Sequence, residues 1–178
     1  MDVKEDYLKE LKNKIKVDSK LKVCLDCGNG VGGIIAPKAF KLFNLEIVEL
    51  YSEVDGNFPN HHPDPSNPKN LQDLQEKVLE TSSDIGIALD GDGDRVGLVD
   101  NKGNIIFPDI YMMLLAENLL KKYNEGNIVF DVKCSKNLEK IIKNFNGTPI
   151  MSRTGHSYIK SKIIETDALL GGEMSAHI

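Results

Sequence analysis

At 178 residues the chain has room for one ordinary domain or two small ones, and with 40% hydrophobic and 28% charged residues it has the make-up of a folded soluble protein. A net charge of −5 argues against a phosphate-backbone binder, which needs clustered Lys and Arg to displace counterions. No stretch approaches a membrane span, and MDVKEDYLKELKNK carries neither an apolar signal core nor the acid-poor bias of a transit peptide, so no nucleic acid, no membrane and a cytoplasmic location are expected.

Residues 4–16 place Tyr7, Leu8, Leu11 and Ile15 at helical spacing, which predicts a short amphipathic lead-in helix. LKVCLDC (21–27) reads as a strand and GNGVGG as the loop behind it. A helix of about ten residues is expected from Ile34, with Pro37 tolerated in its first turn. Cys24 and Cys27 spell C-x-x-C, but three positions apart on a strand they point to opposite faces. A buried thiol and a loop-edge residue are therefore expected rather than a redox pair, and three cysteines argue against a disulfide framework.

LEIVELY (45–51) is a second strand. Residues 52–70 hold four of the seven prolines, an irregular excursion of the length that usually marks a functional loop. Asn67 caps the next helix and Pro68 opens it, with Leu71, Leu74 and Val78 on its buried side. DIGIALD (84–90) is a third strand, apolar enough to be covered on both faces. VGLVD and NIIF then flank Asn101-Lys102-Gly103, a hairpin signal.

A boundary is expected near Phe107-Pro108, giving domains of 1–106 and 107–178. Beyond it DIYMMLLAENLLKKY, KNLEKIIKNF and HSYIKSKIIE read as helices alternating with the strands NIVFDVK, TPIM and ALLGGE. The fold class expected is α/β: two consecutive units with mainly parallel, mixed sheets flanked by helices. Ligands of such sheets collect at the carboxyl ends of strands, and the charged loops here follow strands.

The densest charge is in DGDGDR. Asp90, Asp92 and Asp94 alternate, so in an extended loop their carboxylates share one side, while Gly91 and Gly93 let the backbone bend around what they hold. Three like charges so close call for a cation, and hard oxygen donors favour Mg²⁺ or Ca²⁺ over zinc. A calcium hand counted from Asp90 needs Gly and Glu where Arg95 and Asn101 stand, which excludes it. Mg²⁺ with an adjacent arginine able to grip a phosphate points to phosphoryl transfer.

A competing pattern lies upstream. Gly28, Gly30 and Gly33 fit G-x-G-x-x-G between a strand and a helix, and Glu49 stands about twenty residues on, the spacing of a dinucleotide fingerprint. A plain tight strand-to-helix connection ranks ahead of that reading, because a nicotinamide site leaves Asp26, the HHPDP loop and the aspartates unexplained. Adjacent histidines rarely chelate one ion together, so His61 and His62 are not expected to be site residues.

DCGNGVGG, DGNFPNHHPDPSNPKNL, DIGIALDGDGDRVGLVD, DVKCS, RTGHSYIK and GGEMSAH, in that order, resemble the phosphomannomutase/phosphoglucomutase branch of the α-D-phosphohexomutase family. The resemblance runs from about residue 20 to the last residue and covers the second and most of the third of the family's four domains. It implies a metal-binding first domain and a sugar-recognition second domain, within an enzyme that interconverts hexose 1-phosphate and hexose 6-phosphate, of mannose or glucose, through a phosphoserine and Mg²⁺.

By that resemblance Asp90, Asp92 and Asp94 are the metal ligands and Arg95 lies close to the phosphoserine. Lys133 in DVKCS and His156 in RTGHSYIK match positions given to proton transfer or phosphate contact. GGEMSAH matches the loop that reads sugar hydroxyls, with Glu173, Ser175 and His177 alternating along one face. Glycine is common in the family where this chain has Ala176.

No serine here lies in anything like the family's T-A-S-H-N phosphoserine loop, Ser157 standing in a different context. The chain is therefore expected to bind Mg²⁺ and, weakly, hexose phosphate without turning over alone, its partners being the flanking domains of a parent enzyme. Two other accounts stand beside this one: a dinucleotide-binding Rossmann-like domain, and a non-catalytic remnant that keeps the fold for association.

Overall fold

The computed structural model describes residues 3–178, which fall into two compact units, the first reaching to Ile105 and the second running Ile106–Ile178. In the first unit α1 (Lys4–Lys14) leads into β1 (Lys22–Asp26), α2 (Ala36–Lys41), β2 (Glu46–Leu50), α3 (Gln72–Thr81), β3 (Ile85–Leu89) and β4 (Val96–Asp100), and the two-residue β5 (Ile105–Ile106) falls at the division between the units. These strands form one sheet in the order β2-β1-β3-β4-β5, with β1 parallel to β2 and β3, and β4 antiparallel to β3. No helix among the described residues is long and apolar enough to cross a membrane.

The alternation of strand side chains sorts β1 onto two faces. Cys24 joins Leu71, Leu74, Val78, Ala88 and Val99 under α3, whereas Leu25 and Cys27 pack with Ala36 of α2. Both cysteines are wholly buried, and burial first of all pushes their thiols up, to about 12 for Cys24 and about 11 for Cys27. Cys27 stands at the loop edge just past β1 as expected, yet is buried as deeply as Cys24, and both thiols resist ionisation at neutral pH.

The helix expected from Ile34 is shorter than its pattern suggested. Val31–Ile34 form a 3-10 turn, and α2 proper has six residues with Pro37 at its start. Two consecutive glycines disfavour α-helix, and Gly33 is needed as glycine, since a Cβ there would lie 2.1 Å from Ser52 O, whereas one at Gly32 would meet only the side-chain end Leu89 Cδ1, at 2.9 Å. Asn67 caps as expected, its side chain accepting from Lys69 N at 3.1 Å, although the first turn it caps, Pro68–Leu71, is 3-10 before α3 takes over. Strand β3 is fully buried only at alternate positions, Gly86 and Ala88. Gly86 lets α3 approach, since a Cβ there would meet Val78 Cγ2 at 2.7 Å.

The second unit runs α4 (Pro108–Tyr123), β6 (Gly126–Asp131), α5 (Lys136–Asn144), β7 (Gly147–Ser152), α6 (His156–Thr166) and β8 (Leu170–Gly172). Its sheet, in the order β7-β6-β8, is parallel throughout. Met112, Ala116 and Leu120 of α4 meet Leu138 and Ile142 of α5 over Ile128 and Phe130 of β6. Ser135 caps α5 by accepting from Asn137 N at 3.0 Å. Because all three strands are parallel, their carboxyl ends present Asp131, the residues after Ser152, and Glu173 along one edge of the sheet.

Candidate functional site

In the first unit the acidic loop leaves the carboxyl end of β3. It is a pinched turn rather than the extended run expected from the alternation. Asp90 N donates to Arg95 O at 3.4 Å, Gly93 N donates to Asp90 O at 3.2 Å, and Gly93 takes φ +78°, a conformation that costs glycine nothing. The turn, not strand alternation, gathers the carboxylates: one oxygen from each of Asp90, Asp92 and Asp94 lies within 4.8 Å of the others. Asp90 is buried while Asp92 and Asp94 are exposed. The donors are hard and anionic with no sulfur or imidazole among them, which fits a magnesium-like cation and not zinc.

Arg95 partly offsets this charge already. Its Nε donates to Asp90 Oδ2 at 2.7 Å, its backbone N to Asp90 Oδ1 at 3.0 Å, and its Nη1 to Asp64 Oδ1 at 2.9 Å. Burial pushes the Asp90 carboxyl up, but the hydrogen bonds and charge of Arg95 outweigh it and hold the group below the ordinary carboxylate range. Asp90 is therefore anionic at neutral pH. Three carboxylates, Asp64, Asp90 and Asp94, around one guanidinium, with Asp92 beside them in the cluster, leave a local excess of negative charge for a cation to neutralise.

The glycine loop does not present the free amides that a dinucleotide needs. Gly28 N donates to Asp26 Oδ1, Asn29 N to Tyr51 O, Gly30 N to Cys27 O and Val31 N to Gly91 O, so the amides a pyrophosphate needs are spent inside the protein. Pro63 Cβ stands 3.0 Å from where a Cβ on Gly28 would be, and Glu49 is tied to Lys41 Nζ at 2.7 Å. These glycines serve close packing of three loops.

The residues that sequence reasoning passed over are Asp26, His61 and Asp64. Asp26 is fully buried, and His61 Nε2 lies 2.9 Å from its Oδ2 while His61 Nδ1 faces His62 O at 3.1 Å. An acceptor at each ring nitrogen favours the protonated ring. The Asp26 hydrogen bond is the largest influence and raises the His61 pKa, burial opposing it. Asp64 sits between two buried prolines and reaches Arg95. The signal was an acid fixed between Pro63 and Pro65 in a loop whose length already demanded a reason.

In the second unit Asp131, ending β6, is buried and accepts from Lys133 N at 3.2 Å, Cys134 Sγ at 3.3 Å and Thr154 Oγ1 at 3.1 Å, joining the loops after β6 and β7. Lys133 itself is exposed. Glu173, just after β8, does not alternate outward with Ser175 and His177. It is 1% exposed and turned in, accepting from Gly155 N and lying 3.4 Å from His177 Nδ1. The reason is a turn at residues 173–177, where Glu173 N donates to His177 O and Ala176 N to Glu173 O.

That turn brings Ser175 Oγ to 2.9 Å from His177 Nδ1 and the His156 and His177 rings to 5.9 Å, centroid to centroid. Glu173, Ser175, His177 and His156 are thus one cluster, in which Glu173 is buried, Ser175 and His177 are half-buried and His156 is exposed. Ala176, fully buried, takes φ +76°, which explains why glycine suits this position.

Models of phosphoglucomutase/phosphomannomutase alpha/beta/alpha domain II and domain III match residues 5–103 and 107–178 respectively. The chain is 50% identical over its full length to a phosphomannomutase/phosphoglucomutase of Pseudomonas syringae pv. tomato, of which it spans 38%. A crystal structure of a phosphoglucomutase/phosphomannomutase family protein from Burkholderia thailandensis superposes with a TM-score of 0.95 at 47% identity, over 98% of this chain and 38% of that one. N-acetylphosphoglucosamine mutase of Aspergillus fumigatus, solved with GlcNAc-6P and magnesium, shares the fold at a TM-score of 0.67 and 18% identity, over 97% of this chain and 38% of that one. The chain belongs to the phosphoglucomutase/phosphomannomutase family.

Proposed function

We propose that these residues form the central portion of a phosphohexomutase that interconverts hexose 1-phosphate and hexose 6-phosphate, of glucose or mannose, by Mg²⁺-assisted phosphoryl transfer. The observation that carries the reading is the convergence of Asp90, Asp92 and Asp94 within 4.8 Å beside Arg95, directly after strand β3. The chain spans 38% of the relatives it matches, so turnover is assigned to the longer polypeptide and not to the 178 residues alone.

The first unit is then the metal-binding domain. Asp90, Asp92 and Asp94 would hold the ion, which supplies charge neutralisation for a phosphoryl group in transfer. The magnesium bound to the Aspergillus relative supports that choice. Arg95 spends Nε and one Nη1 hydrogen on aspartates, and the rest of its fork is left for a phosphate.

The second unit is then the sugar-recognition domain. Ser175 and His177 offer a hydroxyl and an imidazole to sugar hydroxyls, on a turn that Glu173 braces from beneath while its Oε2 keeps acceptor capacity. His156 and Lys133 are the groups assigned to proton transfer at the attacking hydroxyl.

A coupled assay of glucose 1-phosphate and mannose 1-phosphate turnover in the full-length polypeptide tests this. Asp92→Asn and Asp94→Asn are expected to lower kcat by at least about 100-fold with folding intact, the scale at which removal of charge stabilisation is felt. A parent polypeptide with no mutase turnover, or variants that retain full activity, would overturn it.

A further inference from the structure

We propose that Asp64 is a positioning residue for Arg95, holding the guanidinium beside the acidic loop when that loop's own carboxylates are engaged by a cation. The inference rests on the metal reading of the loop given above.

Arg95 has two kinds of anchor. Nε donates to Asp90 Oδ2 at 2.7 Å and lies 3.9 Å from Asp94 Oδ1, but both of those carboxylates belong to the three-acid cluster. A divalent cation drawn to the cluster competes for their charge and repels the guanidinium. The remaining anchor, Nη1 to Asp64 Oδ1 at 2.9 Å, is outside the cluster and is not weakened in that way.

Asp64 is built to stay put. Its neighbours Pro63 and Pro65 are buried, its backbone N donates to His62 O at 2.8 Å, and its carbonyl accepts from Asn70 Nδ2 at 2.9 Å. The oxygen that receives Arg95 also accepts from Ser66 Oγ at 2.7 Å and Ser66 N at 3.1 Å. On one side the segment is tied to the end of β1 through His61 and Asp26. On the other Pro65 packs on β4 so closely that a Cβ on Gly97 would lie 2.7 Å from Pro65 Cβ. A carboxylate so immobilised fixes the direction of the planar fork and thereby the donors left for a phosphate.

The test uses the 178-residue chain with ¹⁵N-labelled arginine. In wild type the Arg95 Nη signals are expected to stay resolved, reporting slow guanidinium rotation, both without metal and with saturating Mg²⁺. In Asp64→Asn they stay resolved without metal, where Asp90 still holds Nε, and average when Mg²⁺ is added. Titration with inorganic phosphate at saturating Mg²⁺ is expected to show affinity about tenfold weaker in Asp64→Asn, the scale of one charge-assisted hydrogen bond, with Mg²⁺ affinity unchanged within about twofold. Ser66→Ala, which removes a brace and keeps the charge, should shift both readouts the same way by a smaller factor, and it decides the matter if Asp64→Asn fails to fold.

Variants that match wild type in phosphate affinity and in Arg95 rotation under Mg²⁺ would overturn the positioning role and leave the metal reading intact. So would loss of Mg²⁺ affinity in Asp64→Asn, which would make Asp64 part of the metal site itself. A wild-type chain with no Mg²⁺ affinity would overturn both.

Discussion

Gly30→Ala offers a perturbation whose effect can be worked out from the structure. Gly30 has φ −81° and ψ 172°, a conformation open to any residue, so the substitution adds no backbone strain. What it adds is a methyl group 2.7 Å from Gly91 O, 2.9 Å from Gly91 Cα and 3.0 Å from Asp90 O. All three atoms are backbone of the acidic loop. To restore ordinary contact at 3.4 Å the loop must withdraw by about 0.7 Å, and the Val31 N to Gly91 O hydrogen bond at 3.0 Å goes with it.

Overpacking of this kind costs about 1–3 kcal/mol. Asp90 moves with Gly91, so the cluster opens and Mg²⁺ affinity should fall about tenfold, equivalent to about 1.4 kcal/mol. Urea unfolding measures the first quantity and calorimetric titration with Mg²⁺ the second. Gly56→Ala is the control, because nothing lies within 4 Å of a Cβ there, and it should stay within about 0.5 kcal/mol of wild type. A Gly30→Ala chain as stable as wild type and with equal Mg²⁺ affinity would refute the reasoning, as would equal damage from Gly56→Ala.

The raised His61 pKa predicts a pH dependence. Its contribution to stability is fully present below the unfolded value of 6.5 and is lost as pH rises through the folded value. Urea unfolding from pH 6 to 9 should show the advantage of wild type over His61→Gln shrinking as pH rises, whereas parallel curves would rule the ion pair out. At Ala176, with φ +76° and no exposure to speak of, Ala176→Gly should leave stability within about 1 kcal/mol, while Ala176→Val should lose about 2 kcal/mol or more. Equal midpoints for the two would contradict the left-handed assignment. Glu173→Gln keeps an acceptor for Gly155 N and should cost about 1 kcal/mol. Glu173→Ala leaves that amide unpaired and a buried space empty, and should cost about 2–4 kcal/mol. Denaturation midpoints that rank the two in the opposite order would sink this account of the turn.

Much of the fold could be read from local signals. Asn67-Pro68 marked a helix start, with Leu71, Leu74 and Val78 all buried on the side expected, and Asn101-Lys102-Gly103 marked the hairpin, where Gly103 N donates to Asp100 O at 3.0 Å. These features depend on residues a few positions apart. The glycines of DCGNGVGG misled because their reason is tertiary: the fingerprint spacing is satisfied by loops 91, 63 and 52 packing onto them, contacts that no window of sequence contains.

The acidic triplet was visible as a concentration of charge, yet the cause of its convergence was not, because alternation suggested an extended run and the chain makes a turn at Gly93. Arg95 stood out as a neighbour of the aspartates. Its second partner, Asp64, lies 31 residues upstream, and only the folded sheet brings β4 under the proline loop. Glu173 was found for its type and misjudged in its direction, since period-two reasoning fails once a strand ends.

The central claim is that one divalent cation is held by the three aspartates after β3, and calorimetric titration of the chain with Mg²⁺ tests it most directly. Asp92 and Asp94 are both exposed, so Asp92→Asn with Asp94→Asn removes two charged oxygens and leaves the Asp90–Arg95 pair and the fold in place. Wild type should bind a single Mg²⁺ and the double variant should bind more than about tenfold more weakly at an unchanged urea midpoint. Equal Mg²⁺ affinity in the two chains would contradict the account.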